Sequence, residues 1–453
     1  HIMSDIIAAI ATGRAPCAIG ILRLSGPGCA ALTGRVFTPK QPFADAPDRR
    51  LVLGLLHDRQ GRVIDECLGV VCRAPHSYTG EETVELQCHG SPAMLAAGLE
   101  SLLAAGARQA GPGEFTRRAF LNGKLDLTQA EAVVDLIDAE TADAAANAAG
   151  QLGGALKRAI EPVYDGLTDL CSHFHAVLDY PDEDIEDFGA AELSGALDRA
   201  GTALQELLAT YEKGRHLRQG VRAVLLGKPN AGKSSLLNRL AGYDRVIVTD
   251  IAGTTRDTVE EPVRVGRVLL RLTDTAGIRE AGDAIEALGV ARSEQAAREA
   301  ELALFVCDAS QPPTDEDRRA IEAAKCAPRS LALCNKSDLP AAVSPDELPF
   351  DTVLTVSART GAGLDALPAL LEGWFLGENA CDGSLLTNPR QFGALDRASR
   401  AIARAKTGLG LGVTPDAVLT DVEEAMAALG EVTGRTVRED ITNRIFERFC
   451  VGK

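Results

Sequence analysis

Between Val221 and Ser235 an apolar run, Val221-Arg-Ala-Val-Leu-Leu226, passes directly into Gly227-Lys-Pro-Asn-Ala-Gly232-Lys233-Ser234. The second segment matches G-x-x-x-x-G-K-[ST], the glycine-rich turn that wraps a polyphosphate. Such a turn works where a buried strand ends and a helix begins, so it constrains the fold more than any other feature. The surrounding text agrees. From Val221 to about Trp374, the apolar runs Val221–Leu226, Val268–Leu272, Leu302–Val306, Leu331–Cys334 and Val353–Val356 alternate with helical segments. That alternation predicts a mostly parallel α/β sheet covered by helices. The loop residues Asn230, Ala231, Gly232, Lys233, Ser234 and Ser235 are the expected phosphate ligands. Lys233 is expected to neutralise the β/γ oxygens, and Ser234 to ligate Mg²⁺.

Three further motifs follow in a fixed order. Asp274-Thr275-Ala276-Gly277 ends a strand, which puts a carboxylate near the metal and a glycine N–H near the γ-phosphate. Asn335-Lys336-Ser337-Asp338 follows the strand Leu331–Cys334. Asp338 is suited to accept hydrogen bonds from guanine N1–H and the exocyclic amine, a donor pair that adenine lacks, so GTP/GDP is favoured over ATP. Ser357-Ala358-Arg359 closes the base pocket after the last strand. Any one motif has a chance reading as a loop, but four in this order leave chance little room, and the set resembles the translation-factor-like GTPases. Between the first two lies a polar, glycine-containing segment with Thr249, Asp250, Ile251, Ala252, Gly253, Thr254 and Thr255. It reads as a mobile switch in which Thr255 supplies a second hydroxyl to Mg²⁺. Ile278 stands where Ras-like enzymes carry a water-orienting Gln. Another residue must orient the water, and the transferring phosphoryl needs a further cation. Arg256, Arg279, Glu280 and Glu286 are candidates, and spacing does not choose among them.

The rest of the chain differs in texture. Up to about Ala119, strand-like runs such as Ala18–Leu24 and Thr83–Cys88 alternate with turns. Leu127, Ala130, Val133, Val134 and Ile137 then keep helical spacing behind the capping candidates Asp126 and Thr128. Helical text breaks at Asp179–Asp187, resumes, and returns from Pro389 to Phe449. The expected organisation is multidomain: an α+β N-terminal domain (1–119), an all-α domain in two parts (120–215 and 377–453), and an inserted α/β P-loop GTPase domain (216–376). A formal net charge of −17 excludes broad basic coverage, so nucleic-acid binding would need local patches or a partner. No apolar run reaches about 18 residues, which argues against a membrane span. The opening His1-Ile2-Met3-Ser4 reads as an expression scar before an initiator Met3. The eleven cysteines are scattered without C-x-x-C, which points to reduced, mostly buried thiols and argues against a zinc site.

Longer motifs carry a resemblance. They are Gly20-Ile-Leu-Arg-Leu-Ser-Gly26, Tyr78-Thr-Gly-Glu-Glu-Thr-Val-Glu-Leu86, Gly111-Pro-Gly-Glu-Phe-Thr-Arg-Arg-Ala-Phe-Leu-Asn122, Lys124-Leu-Asp-Leu-Thr-Gln-Ala-Glu-Ala132, Thr249-Asp-Ile-Ala-Gly-Thr-Thr-Arg-Asp257 and the terminal Phe449-Cys450-Val451-Gly452-Lys453. With them the chain resembles, over essentially its whole length, the MnmE (TrmE) family of tRNA-modification GTPases. The resemblance implies a folate-binding N-terminal domain that forms a homodimer and a helical domain interrupted by the GTPase domain. It also implies a flavoprotein partner, MnmG (GidA). With that partner a cytoplasmic, K⁺-dependent GTP hydrolase installs an aminomethyl-type group at C5 of the wobble uridine (position 34) of certain tRNAs. A tetrahydrofolate derivative (5-formyl- or methylene-tetrahydrofolate) is the implied carbon donor, and tRNA is contacted largely through the complex.

Carried over by position, Arg23, Glu85, Lys124 and Lys453 match folate-contacting positions. Asn230, Thr249, Ile251 and Thr254 match the potassium shell, and Ser234 and Thr255 the Mg²⁺ positions. Glu286 matches the water-orienting glutamate, and Arg256 and Arg279 match switch arginines. Cys450 is a candidate nucleophile or redox partner, set against the ordinary reading of a small buried side chain near a helix end. An alternative from another class is a GTP-switched binding protein for ribosome assembly. That class usually adds a basic RNA-binding appendage, whereas the late basic group here is Arg435, Arg438, Arg444 and Arg448. Folate binding by residues 3–119 separates the two.

Overall fold

A computed structural model of the chain describes residues 5–13, 15–39, 43–179, 190–243, 260–274, 286–377, 381–436, 442, 445–447 and 449–452. The chain divides into two compact units. One comprises His1–Val134, Leu152–Leu197 and Arg400–Lys453, the other Asp135–Gln151 and Asp198–Ser399.

In the first unit, β1 (Ile7–Ile10), β2 (Cys17–Ser25), β3 (Phe37–Pro39), β4 (Val52–His57), β5 (Val63–Cys72), β6 (Thr83–Gly90) and β7 (Arg108–Gln109) form a sheet in the order β3-β4-β5-β6-β2-β1-β7. All neighbours are antiparallel except β1 and β7. Alternation assigns the faces. Leu22, Leu24, Leu56, Val84 and Leu86 are buried in one apolar cluster with Leu95 and Leu102 of the helix Pro92–Ala104. The alternate residues, including Arg23 and Glu85, lie on the opposite face. Asp126 starts the helix Leu127–Ile137 as expected: its carboxylate accepts from Gln129 N–H at 2.9 Å, while the Gln129 side chain accepts from Asp126 N–H at 3.1 Å. That reciprocal pair satisfies two N–H groups that a helix start leaves without partners. The helices Ala155–Asp179 and Pro415–Thr433 pack together. Beyond Asp179, the acidic break lies outside the described residues as far as Asp187.

The second unit holds β8 (Val221–Leu226), β9 (Glu260–Val265), β10 (Val268–Asp274), β11 (Leu302–Asp308), β12 (Arg329–Asn335) and β13 (Val353–Thr355), in the order β13-β12-β11-β8-β10-β9. Every pairing is parallel except the edge pair β9–β10. All of β11 is buried. Its Leu302, Leu304 and Val306 join one apolar cluster and its Ala303, Phe305 and Cys307 another, so both faces of the sheet are covered. Strands buried on both sides read as continuous apolar runs, which is why these were legible in the sequence. The edge strand β9 begins Glu-Glu-Pro and carries no such run. It is held by its ladder to β10.

Candidate functional site

In a parallel sheet of this kind the carboxyl ends of the strands define the ligand edge. Register places the motifs there together. Leu225 near the end of β8 pairs with Asp274 at the end of β10, and Asp308 pairs with Asn335 at the ends of β11 and β12. β8 runs into the glycine-rich loop, and the helix Lys233–Tyr243 begins inside the motif. Its first N–H groups lack intrahelical partners and form an anion-binding end. Ser234 and Ser235 are exposed there, as is Asn230 in a left-handed conformation with φ 62°. Lys233 is buried, its Nζ donating to the carbonyls of Gly227 (2.7 Å) and Lys228 (2.8 Å), so its charge is held over the loop.

Asn335 ties three motifs together. Its Nδ2 donates to Ala231 O in the loop at 2.9 Å, and its Oδ1 accepts from Ala358 N–H at 2.9 Å. Both ends of this buried amide are therefore used within the protein, and they tie the glycine-rich loop at Ala231 to the loop at Ala358. Gly232, at φ 96°, allows that approach, since a Cβ there would stand 2.1 Å from Asn335 Nδ2.

Asp338 and Ser357, expected at the base pocket, stand together. The Ser357 hydroxyl donates to Asp338 Oδ1 at 2.6 Å, and Arg359 lies 3.5 Å from Oδ2. The Ser357 bond holds the Asp338 carboxyl below its ordinary range, so it presents an acceptor. Ser337 N–H donates to Val356 O at 3.1 Å, which ties the two loops.

Two buried carboxylates in this site were missed by motif reading. Asp308 accepts from Lys336 Nζ at 2.6 Å, and Lys336 itself has φ 65°. Burial opposes the charge on Asp308, but Lys336 and Ser310 overcome it and depress the carboxyl. Asp317 accepts from Lys228 Nζ at 2.9 Å and also caps the helix Asp315–Ala324. The available signal was a carboxylate closing an apolar strand, Phe-Val-Cys-Asp308, at the same edge as the motifs.

Thr249, Asp250, Ile251, Ala252, Gly253, Thr254, Thr255, Arg256, Thr275, Ala276, Gly277, Arg279 and Lys453 lie outside the described residues. Asp274 ends β10 and Glu286 opens the helix Glu286–Glu299.

The first unit holds a separate arrangement. Arg23 and Glu85 are directly opposed on β2 and β6, with Arg23 Nε 2.8 Å from Glu85 Oε1. The guanidinium carbon lies 5.7 Å from the Phe115 ring centre and 5.9 Å from that of Tyr78. Arg23 Nη1 also donates to Gly452 O at 3.3 Å. The C-terminal tail is thus laid against the N-terminal sheet: Val451 bridges Pro112, and Gly113 N–H donates to Cys450 O at 3.3 Å. Lys124 Nζ donates to Pro75 O at 3.1 Å. Cys450 is exposed, against the buried reading of a terminal thiol, while its carbonyl accepts from Gly113 N–H.

Together, the glycine-rich loop and the motif residues at the carboxyl ends of the parallel strands mark a P-loop GTPase domain. Residues 127–450 match the MnmE helical domain, and residues 6–124 match the family described as GTP-binding protein TrmE N-terminus. The tRNA modification GTPase MnmE of Roseiflexus sp. (strain RS-1) is 45% identical, over 99% of both chains. That of Aquifex aeolicus (strain VF5) is 41% identical over the full length of both. Among solved structures, the G domain of the T. maritima iron transporter FeoB aligns at 22% identity and TM-score 0.25, over 33% of this chain and 94% of that one. The chain belongs to the MnmE family of tRNA modification GTPases. Its architecture is multidomain, with a TrmE-type N-terminal domain and a helical domain into which the α/β P-loop domain is inserted. Among the described residues, no helix is long and apolar enough to cross a membrane.

Proposed function

We propose that this chain is a cytoplasmic, K⁺-dependent GTP hydrolase that works with a flavoprotein of the MnmG (GidA) kind. Together they install an aminomethyl-type group at C5 of uridine 34 in certain tRNAs, taking the carbon from a tetrahydrofolate derivative. The observation that carries the reading is the full-length similarity to MnmE relatives, joined to a glycine-rich loop, Asp274 and Asn335 at the carboxyl ends of one sheet. Residues 1–119 are assigned to folate binding and dimerisation, 120–215 and 377–453 to the helical domain, and 216–376 to GTP hydrolysis.

The loop suits its ligands. The exposed Ser234 hydroxyl sits in the first helical turn and fits Mg²⁺ together with Thr255; the ion would screen phosphate charge when bound. Asn230 offers a neutral amide oxygen that fits K⁺, with Thr249, Ile251 and Thr254 completing the shell. Lys233 neutralises phosphate oxygens, and Asp338 selects guanine. Glu286 orients the attacking water, and Arg256 and Arg279 act from the switches.

The folate reading is supported by the chemistry around Arg23. A paired carboxylate, Glu85, suits the N–H donors of a pterin edge, while Arg23, Lys124 and Lys453 suit an anionic tail. Calorimetry with 5-formyltetrahydrofolate tests it. The full chain is expected to bind, and removal of residues 450–453 to weaken binding by at most about 10–150-fold, the worth of one charged hydrogen bond at about 1.5–3 kcal/mol. Absence of binding by the full chain would favour the ribosome-assembly reading, and unchanged affinity after truncation would remove the tail from the site.

A further inference from the structure

No C-x-x-C spacing marks a metal site in this chain, yet sheet register gathers ligands that the sequence keeps apart. Leu68 on β5 pairs with Gln87 on β6, and one step further along the ladder Cys67 and Cys88 face each other. Both are free thiols, each 3% exposed. Asp65 lies two residues before Cys67, and its carboxylate is 8% exposed. One ligand atom from each of Asp65, Cys67 and Cys88 falls within 4.8 Å of the others.

We propose that Asp65, Cys67 and Cys88 form a binding site for a borderline-soft divalent cation, zinc being the best match. Two sulfurs select against Mg²⁺ and Ca²⁺, which take oxygen ligands. Three protein ligands plus one water complete the four-coordinate geometry that Zn²⁺ adopts. His89 orients the carboxylate: its backbone N–H donates to Asp65 Oδ2 at 2.8 Å, and its Nδ1 lies 2.7 Å from Oδ1. Each carboxylate oxygen keeps a second lone pair for the metal. This matches the outer contact that commonly fixes a ligating carboxylate. Binding replaces two thiol protons, which pass to solvent, and no electrons move.

The chain carries an internal control. Cys307 and Cys334 are also opposed, on β11 and β12, with sulfurs 3.7 Å apart. Among the described residues, no third ligand joins that pair. A facing pair of thiols alone is therefore distinguishable from a three-ligand site.

The test uses the full chain, reduced with a phosphine, stripped with chelator, and titrated with Co²⁺. The expected result is one equivalent bound with a thiolate-to-cobalt charge-transfer band, which Zn²⁺ displaces. Cys67→Ser with Cys88→Ser should abolish the band, and Cys307→Ser with Cys334→Ser should leave it. His89→Ala should weaken Co²⁺ by about 10–100-fold, the usual effect of losing an outer contact. Asp65→Asn keeps both sulfurs and should weaken binding at least as much, which decides the matter if the double serine variant does not fold. No charge-transfer band in the reduced full chain, a band that survives loss of Cys67 and Cys88, or unchanged affinity in Asp65→Asn would each overturn the proposal.

Discussion

At the scale of single residues, the nucleotide site depends on close approaches that leave no room for added atoms. Gly232 is the sharpest case, with a positive φ and Asn335 Nδ2 standing where a Cβ would go. Gly232→Ala must push Asn335 away, which leaves Ala231 O and Ala358 N–H without their partner. The expected cost is about 1–3 kcal/mol for unsatisfied buried groups, read as a lower thermal midpoint, together with weakened GDP binding by fluorescence titration. Wild-type affinity in this variant would show that the clamp is not needed. Asn230 is the complementary case, a non-glycine residue held at φ 62° with its side chain exposed. If that side chain serves K⁺, replacing K⁺ by Na⁺ at constant ionic strength should lower GTP turnover in the unmodified chain. The Asn230→Ala variant should be slow in both salts and insensitive to the exchange. Equal rates of the unmodified chain in the two salts would exclude the potassium reading.

At the scale of elements, the helix Tyr211–Gln219 is tied to the start of β11 through Glu301. Burial works against the charge on that carboxylate, but His216 Nε2 at 3.0 Å, Arg215, and the Arg222 N–H at 3.2 Å overcome it and bring its pKa to about 2, from an ordinary value of 4.5. A depressed carboxyl stabilises the fold above its unfolded pKa, and that contribution is lost as pH falls through the folded value. Glu301→Gln should therefore destabilise the second unit by about 1–2 kcal/mol at neutral pH, after allowance for solvent screening. The difference should close between about pH 4.5 and 2, followed by urea unfolding. A gap that stays constant down to pH 2 would contradict it.

The same elements show what a sequence exposes. The doubly buried strands β8, β11 and β12 announce themselves as apolar runs, and the motifs sit at their ends. The capping box at Asp126 was legible because its hydrogen bonds are local. By contrast β9 begins Glu-Glu-Pro and offers only the alternation Val263-Arg-Val265, whose two valines join the core once the ladder to β10 is formed. The contact of Arg23 with Gly452 joins opposite ends of the chain, so only a long-range fold or a family likeness points to it.

At the scale of the whole molecule, the seven-stranded sheet is unevenly covered. On the β1 side, Ile7 and Ala9 are buried with Ala110 and Phe115. Across β4, β5, β6 and β2, register sets Leu53, Leu68, Gln87 and Ile21 in one row on the face opposite the buried cluster of Leu22, Leu56 and Leu86. Leu53 and Leu55 are each 37% exposed. A mostly apolar, half-exposed row on a sheet face is a common mark of an association surface, and the proposed homodimer needs one in the N-terminal region. Fully burying a leucine contributes about 1.5–3 kcal/mol, and a buried unpaired carboxylate costs more than that gain. Leu53→Asp with Leu55→Asp should therefore raise the dimer dissociation constant by at least about 100-fold in analytical ultracentrifugation. Because both side chains point away from the core, the thermal midpoint of the second unit and the GDP affinity should stay at their original values. A double variant that remains fully dimeric at micromolar concentration would place the dimer contact elsewhere on the molecule.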